Sequence, residues 1–364
     1  MRKVFPLRYL FALLLCLSSL QVLAEDNRGR VMLIRGAVTA TDETGVPRIL
    51  RADSRVRLGE VVQTGADSVV QIVFPDRSML HVKADTQLKV ERFNFEQTQP
   101  ENDTVKVRLY TGGMRSLTGL VGKRNPDKVK YETPIATIGI RGTILEIDRA
   151  ANGNVKTIFD FGKGYIESGK QKTLVKAGEA ASLDKANEKP EKVAFERPKK
   201  DPARLATRLA TASAADIQTI SETACRELGA EDVMLMVAME GAVTSVATSA
   251  TTVQGLTSCL PVDVSADMLS LSAYLNPEAA PLFMASAVKG GANIAIALES
   301  VLRGMEHASQ ESIEATVKDA IDLGLSAEDA RNILDNLSTD GIAPQNAPKR
   351  LRVQARQGRK QRST

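Results

Sequence analysis

The sequence predicts an α+β protein made of two separate domains, an N-terminal all-β domain and a C-terminal all-α domain of helical hairpins. Three observations indicate this division. Apolar and polar residues alternate from residue 30 to about 183, with turn-forming residues between the short runs. A charged stretch with three prolines follows at 185–202. From residue 203 onward, apolar residues recur at helical spacing, and the 364 residues leave room for both domains.

The first 24 residues have the pattern of a signal peptide. Arg2 and Lys3 precede an apolar run that is shorter than the roughly 20 residues a membrane span needs. A small residue, Ala24, suits cleavage before Glu25. A retained anchor and lipidation at Cys16 are the alternatives, but the leucines before Cys16 disfavour lipidation. We therefore expect export to the periplasm, with cleavage near Ala24-Glu25.

The β region is predicted over residues 30–184. At 69–74, Val70, Ile72 and Phe74 alternate with Val69, Gln71 and Val73, as in a strand with one set of side chains on a buried face and the other facing solvent or a second layer. Clusters of Gly, Asn, Asp and Pro separate this strand from similar runs. Many short strands with such turns are typical of a sandwich, a barrel or a short solenoid.

The composition predicts a charged linker at 185–202 and a disordered basic tail at 341–364. No acidic residue follows Asp340. The basic residues of the tail are candidate contacts for an anionic surface such as lipid, lipopolysaccharide or DNA, or they form a solubilising end. They are Lys349, Arg350, Arg352, Arg356, Arg359, Lys360 and Arg362.

The helical domain is predicted over residues 203–340. Ser213 with Asp216, and Ser326 with Asp329, have the spacing of capping boxes at helix starts. A weak internal similarity between 220–232 and 317–329 predicts tandem helical hairpins.

Two strongly apolar segments, 233–253 and 279–302, are predicted as buried helices. Membrane helices are the alternative, but Glu240 interrupts the first segment and Lys289 interrupts the second. A charge in mid-membrane costs about 2.5–3.5 kcal/mol.

Two cysteines remain after removal of the signal peptide. Cys225 and Cys259 form a candidate disulfide, because an exported protein meets oxidising conditions. Two separate buried thiols are the alternative.

The sequence predicts neither an active site nor a cofactor. His81 and His307 fall in different predicted domains, and no recognised catalytic or metal-binding motif is present. The chain has no Trp and 4% aromatic residues, which disfavours sugar binding by stacked aromatic platforms. We therefore predict a protein that is not an enzyme.

The stretch TPIATIGIRGTILEI, residues 133–147, raises the question of a phosphate-binding loop. Gly142 leads into alternating strand residues, so no helix start is available for an anion. We predict a structural corner, in which Arg141 is a buried donor of hydrogen bonds to backbone carbonyls or a carboxylate.

Several motifs together resemble the FecR domain of bacterial envelope proteins. TPIATIGIRGTILEI resembles its closing motif, LGEVVQTGADSVVQIVFPDRSMLHV (58–82) resembles its central hairpin, and LYTGGMRSL (109–117) resembles a later turn. The resemblance extends over about 30–184 and implies mostly structural roles for the motif residues. These are Gly59, Thr64, Gly65, Asp76, Ser78, Gly113, Arg115, Thr133, Pro134, Arg141, Gly142 and Thr143. One departure is Arg77, which replaces a hairpin glycine, so its turn must avoid a positive φ or become strained.

The resemblance also implies a function. FecR proteins of iron uptake resemble one-span signal transducers, with a cytoplasmic segment that grips a sigma factor and a periplasmic FecR domain that receives the signal. Here the predicted signal peptide runs straight into the domain, so we expect no direct sigma-factor contact. We expect a non-catalytic binding, sensing or scaffolding protein whose partner is an envelope protein or glycan. The alternatives are an anionic-surface binder that uses the basic tail and, less favoured, an envelope hydrolase.

Overall fold

The computed structural model describes residues 27–339 and Pro344. The predicted signal peptide and the basic residues of the predicted tail therefore lie outside the described residues. Within the described part, a β-rich region is followed by a helical region, as the sequence predicts.

The β-rich region contains fifteen strands and one short helix, α1 (Leu120–Arg124). The strands are β1 (Gly29–Arg35), β2 (Val38–Thr41), β3 (Pro47–Ile49), β4 (Arg55–Val56), β5 (Val61–Thr64), β6 (Val69–Val73), β7 (Met79–Val82), β8 (Gln87–Asn94), β9 (Thr104–Leu117), β10 (Val129–Glu132), β11 (Thr137–Arg149), β12 (Val155–Ser168), β13 (Gln171–Lys176), β14 (Glu179–Leu183) and β15 (Glu191–Val193).

These strands form one hydrogen-bonded network that folds into two layers. We call the first layer sheet A; it runs in the order β4, β1, β6, β7, β9, β11, β12, β14, β15. We call the second layer sheet B; it runs in the order β3, β2, β5, β8, β9, β10, β11, β12, β13. The long strands β9, β11 and β12 belong to both layers, each with one half in sheet A and the other in sheet B.

The central strands of sheet A are buried on both faces. Its inner residues, such as Ile72 and Leu145, pack against residues of sheet B such as Ile138. Its outer residues, such as Val73 and Leu117, belong to the same apolar core as the helices. All residues of β6 are therefore buried, as in strands that are covered on two sides. The two regions thus share a core, and their independence as separate domains stays a prediction.

The helical region forms two layers of helices. Each helix contacts the next but one along the chain, and α4 and α6 also contact sheet A. The helices are α2 (Pro202–Leu209), α3 (Ala214–Glu227), α4 (Ala230–Val243), α5 (Val246–Thr257), α6 (Val262–Leu275), α7 (Ala280–Lys289), α8 (Ile294–Gly304), α9 (Gln310–Asp322) and α10 (Ala327–Thr339). The even-numbered helices form the layer nearer the sheet, and α3, α5, α7 and α9 form the outer layer.

Local signals in the sequence explain where several helices begin. The predicted capping box of Ser213 and Asp216 is confirmed at the start of α3. Ser326 accepts a hydrogen bond from the Asp329 N–H before α10, at 3.0 Å. Within residues 27–339, no helix has both the length and the apolar character that a membrane span requires. The segments 233–253 and 279–302 are instead each divided between two helices.

A disulfide links two helices of the same array. Cys225 in α3 is bonded to Cys259, which follows the end of α5. The bond closes a loop that contains all of α4 and α5, and so restricts the unfolded chain.

The three long strands bend where they pass from one layer to the other, and a glycine with positive φ stands at each bend. Gly112, Gly142 and Gly162 have φ values of 80°, 58° and 75°. The pairing of β11 with β12 shifts its register at the bend, between Arg141 and Ile144. A Cβ atom at Gly162 would lie 2.0 Å from the carbonyl oxygen of Gly142. The two paired strands can therefore come this close at the bend only if residue 162 has no side chain.

We expect Gly162→Ala to lower the free energy of unfolding by at least about 3 kcal/mol, because a clash adds to the backbone strain. Gly178→Ala is the matched control, since Gly178 has a φ of 77° but no atom within 4 Å of an added Cβ. The control change should cost only about 1–2 kcal/mol. Urea denaturation followed by circular dichroism measures both. Equal losses of unfolding free energy in the two variants would show that the bend at Gly162 tolerates a methyl group.

Candidate functional site

Three of the motif residues make buried hydrogen bonds that shape turns. Thr64 Oγ1 donates to the Lys83 carbonyl at 2.6 Å. Asp76 accepts from the Ser78 N–H at 3.0 Å, and burial raises the pKa of this carboxyl group. Thr133 Oγ1 accepts from the Ala136 N–H at 3.0 Å.

The other motif residues occupy turns and strands. Gly59 has a positive φ, Gly65 lies in the turn before β6, and Pro134 is exposed in the turn before β11. Gly113 faces Asp148 so closely that a Cβ would lie 2.1 Å from Asp148 Oδ1. Thr143 lies in β11.

The expectation that Arg141 is a buried hydrogen-bond donor is wrong. Its side chain is exposed at the bend of β11, as is Gly142 beside it. The register shift at this point interrupts the alternation of the strand, so the arginine turns towards solvent. The buried arginine of the motif set is instead Arg115, which is 7% exposed.

Arg77 stands where the FecR motif has a glycine, and it adopts a positive φ of 65°. Its hairpin is therefore a strained turn. Burial lowers the pKa of the Arg77 guanidinium, which lies among Tyr274 and Pro277 of the helical region. The strained hairpin thus directs a cation into the junction between the two regions.

A row of charged side chains crosses the face of sheet A that the helices cover. We call Arg115, Glu146, Asp160, Arg197 and Asp201 the connector cluster. Arg115 pairs with Glu146 at 3.0 Å and with Asp201 at 2.6 Å. Arg197 forms two hydrogen bonds with Asp160, at 2.7 and 2.8 Å, and also pairs with Glu146. The cluster therefore joins three strands of sheet A to the chain segment that enters the helical region.

The charges of the cluster support one another. Burial alone would raise the pKa of Glu146, but Arg115, Lys83 and Arg197 hold it far below its ordinary value. Burial alone would lower the pKa of Arg197, but Asp160 and Glu146 raise it. Asp201 also accepts from the Ala203 N–H at 2.9 Å and so caps α2. The same carboxylate thus begins the first helix and fixes it to the sheet.

A second cluster joins the opposite part of sheet A to the end of α8. Arg30, which is 2% exposed, pairs with Asp53 at 2.6 Å and donates to the Arg303 carbonyl at 2.9 Å. Glu306 pairs with Arg55 and lies 3.6 Å from Arg30. Ion pairs on β1 and β4 therefore hold the end of α8 against the sheet.

A cleft of about 160 Å³ lies between the β-rich and helical regions. The Asp76-Arg77 turn and Lys123 line one side, and Gly241 and Asn276 line the other. Its walls offer the cations of Arg77 and Lys123, the Asn276 amide and the Asp76 carboxyl group, whose pKa burial raises. Among residues 27–339, no group of three His, Cys, Asp or Glu side chains has the geometry to hold a metal.

The stretch 185–202 is more than a linker. It contains β15 and delivers Arg197 and Asp201 to buried ion pairs. Sequence reasoning missed both residues, because a charged composition suggested exposure to solvent. One signal was available: Asp201 followed by Pro202 is typical of a helix start, with an N-cap and a proline in the first turn.

Residues 60–160 match the family model described as FecR protein. This part of the chain is a FecR domain, and it includes Arg115, Glu146 and Asp160 of the connector cluster. FecR proteins are bacterial envelope-associated regulators and not enzymes. No curated protein sequence matches the chain.

Solved structures that are similar to parts of the chain include the following three. Two are structures of a "putative anti-sigma factor" from Parabacteroides distasonis, each 14% identical, with TM-scores of 0.30 and 0.32. They cover 37% and 42% of this chain, and the chain spans 60% and 64% of theirs. The third, a "Cell surface anchoring domain", is 26% identical over 18% of this chain and 84% of its own, with a TM-score of 0.17.

We expect Arg115→Met to lower the free energy of unfolding by about 3–5 kcal/mol, because Glu146 and Asp201 would be left buried with one cation fewer. Arg108→Met is the matched control, since Arg108 also pairs with two carboxylates but lies partly exposed on sheet B. Its loss should be about 0–1 kcal/mol. Chemical denaturation of both variants decides: similar losses would mean that the connector cluster contributes no more than a surface ion pair.

Proposed function

We propose that this protein is a non-catalytic binding and sensing scaffold of the bacterial periplasm that acts through protein–protein contacts. The observation that supports it best is the joint core of sheet A and the helices. A FecR domain, whose relatives are envelope regulators, here shares a buried apolar core with a helical array.

The architecture leaves two surfaces for partners. The helices cover sheet A, so the FecR domain presents sheet B and its edge strands to solvent. The helical array presents its outer layer, where Leu282 of α7 and Ile321 of α9 are exposed. The connector cluster and the cluster around Arg30 hold these surfaces in a fixed relation, as a scaffold requires. We further propose that the hairpins of the array are repeats of one unit.

The proposals for the location and for the class of partner are based on the sequence. The predicted signal peptide at 1–24 supports a periplasmic location. No direct contact with a sigma factor is proposed, and the partner is an envelope protein or glycan.

A crosslinking experiment tests the protein contacts. A photo-crosslinking residue is placed in the full chain at one position at a time. The test positions are Leu282 and Ile321 in the outer helical layer and Leu174 on sheet B. Lys170, in the turn before β13, is the control position. We expect one defined envelope protein to crosslink to a surface position, as identified by mass spectrometry, and to be displaced by unmodified protein. Leu282→Asp should reduce a crosslink at Ile321, because a charge on the contact surface opposes burial. Adducts that are equal at all four positions would contradict the proposal.

A second candidate function is binding to an anionic surface through the basic tail. The tail carries seven basic and no acidic residues after Asp340. Deletion of 341–364 should weaken binding to vesicles that contain anionic lipid by about tenfold or more at low salt, since each basic residue near such a surface contributes about 1 kcal/mol. Raised salt should weaken binding of the intact chain in the same way. Binding that resists both changes would exclude this role.

An envelope hydrolase with a site between the two regions is the least favoured alternative. The test is to measure hydrolase activity in the intact chain and in Asp76→Ala and Asn276→Ala, which change residues of the cleft. An activity that either change removes would support this alternative.

A further inference from the structure

Glu240 is a buried carboxyl group in the helical region, where no basic side chain of the described residues pairs with it. Only 1% of the residue is exposed, near the end of α4. Thr244 Oγ1 donates a hydrogen bond to Glu240 Oε1 at 2.6 Å, and Ser249 Oγ donates to the same oxygen at 3.2 Å. Two hydroxyl groups on α5 and its preceding turn are thus gathered at one carboxylate oxygen.

A small cavity adjoins these three side chains. Its volume is about 30 Å³, which exceeds the ~10–15 Å³ needed for one water-sized particle. Ser272 of α6 also lines the cavity, and its hydroxyl is buried without a hydrogen-bond partner among the described residues. A buried hydroxyl without a partner is uncommon in a native protein, and here it faces the same space as Glu240.

The environment of Glu240 lacks a compensating charge. Burial raises the pKa of Glu240 to about 7, against the opposing effect of the two hydroxyl donors, and no charged group contributes to the shift. The remaining cavity lining from α4, α5, α6 and α7 is apolar, apart from Asn276 and Gly241, and holds no other titratable group. A buried carboxylate is stable only when a proton or a cation compensates it.

We propose that Glu240, Thr244, Ser249 and Ser272 form a binding site for one monovalent cation. Carboxylate and hydroxyl oxygens are ligands for hard cations. The single negative charge balances one positive charge, whereas Ca²⁺ binds six to eight oxygens, usually from several carboxylates. The cation class covers Na⁺, K⁺ and a small ammonium ion, and the cavity excludes larger organic cations.

The cleft between the two regions gives the ion an access route. The cavity and the cleft share Gly241, Leu275 and Asn276 in their walls. A Cβ atom at Gly241 would have only Ser249 Oγ nearby, at 4.0 Å, so the glycine leaves open space between the two. A bound cation would therefore stabilise the place where α4, α5 and α6 meet, next to the contact of α4 with sheet A.

Thermal unfolding of the full mature chain in different chloride salts tests the site. The salts are NaCl, KCl, methylammonium chloride and N-methyl-D-glucamine chloride, all at 150 mM and pH 8, where the carboxyl group is ionised. A dissociation constant near 10 mM would favour the folded state about 16-fold and raise Tm by about 2–4 °C. We expect this rise in at least one of the first three salts relative to N-methyl-D-glucamine, which is too large for the cavity. The salt with the largest rise identifies the ion, and equal Tm values in all four salts overturn the proposal.

Matched variants separate the site from a general salt effect. Glu240→Gln keeps the side-chain shape, removes the charge and should abolish the difference between salts. Ser272→Ala should reduce it at least threefold, whereas Ser270→Ala should leave it unchanged. Ser270 is the control because its hydroxyl is also buried without a partner on α6, but it does not line the cavity.

A direct measurement keeps the proposal testable if a variant unfolds. The ²³Na NMR line of NaCl solutions should broaden on adding the folded chain, and the broadening should decrease when the favoured cation is added in excess. Broadening that survives Glu240→Gln, or a salt effect that Ser270→Ala removes as fully as Ser272→Ala does, would overturn the assignment.

Discussion

The pairing of Arg115 with Glu146 is the interaction on which the architecture depends. Sheet A lies between sheet B and the helices, so a polar side chain on its helix-facing side must find its partner within the protein. Arg115 and Glu146 are direct neighbours on β9 and β11, and each satisfies the other. Arg197 and Asp201 then extend this pair to the helical region. A buried ion pair of this kind adds little net stability, but it strongly favours one placement of the helices over others, because a misplaced partner leaves a charge unpaired.

The sequence contains enough information to predict the two kinds of secondary structure but too little to predict how they meet. Period-two alternation and helical spacing correctly divide the chain, and Ser213 with Asp216 correctly marks a helix start. The run at 69–74 is apolar at nearly every position, a sign that both faces are buried. Which element covers the second face cannot be read from it, because an apolar surface does not specify its partner.

The two arginines of the motif set show the same limit at a single site. Arg115 and Arg141 both stand in glycine-containing strands, and the sequence drew attention to Arg141. Arg115 is buried, whereas Arg141 is exposed because the pairing of β11 shifts its register at the bend. Such a shift is set by the neighbouring strand, so local composition does not reveal it. Similarly, the charged residues of 185–202 have the composition of an exposed linker. The ion pairs that bury Arg197 and Asp201 are formed with residues of sheet A that are distant in sequence, so composition alone does not reveal them.

The three strands that run through both sheets have a mechanical consequence. Because β9, β11 and β12 are continuous, sheet B cannot slide past sheet A without stretching covalent backbone. A force applied at the outer face of sheet B is therefore carried along these strands to Arg115, Glu146 and Asp160, and from there to α2. Sheet B and the connector cluster are therefore linked directly through the backbone of these three strands.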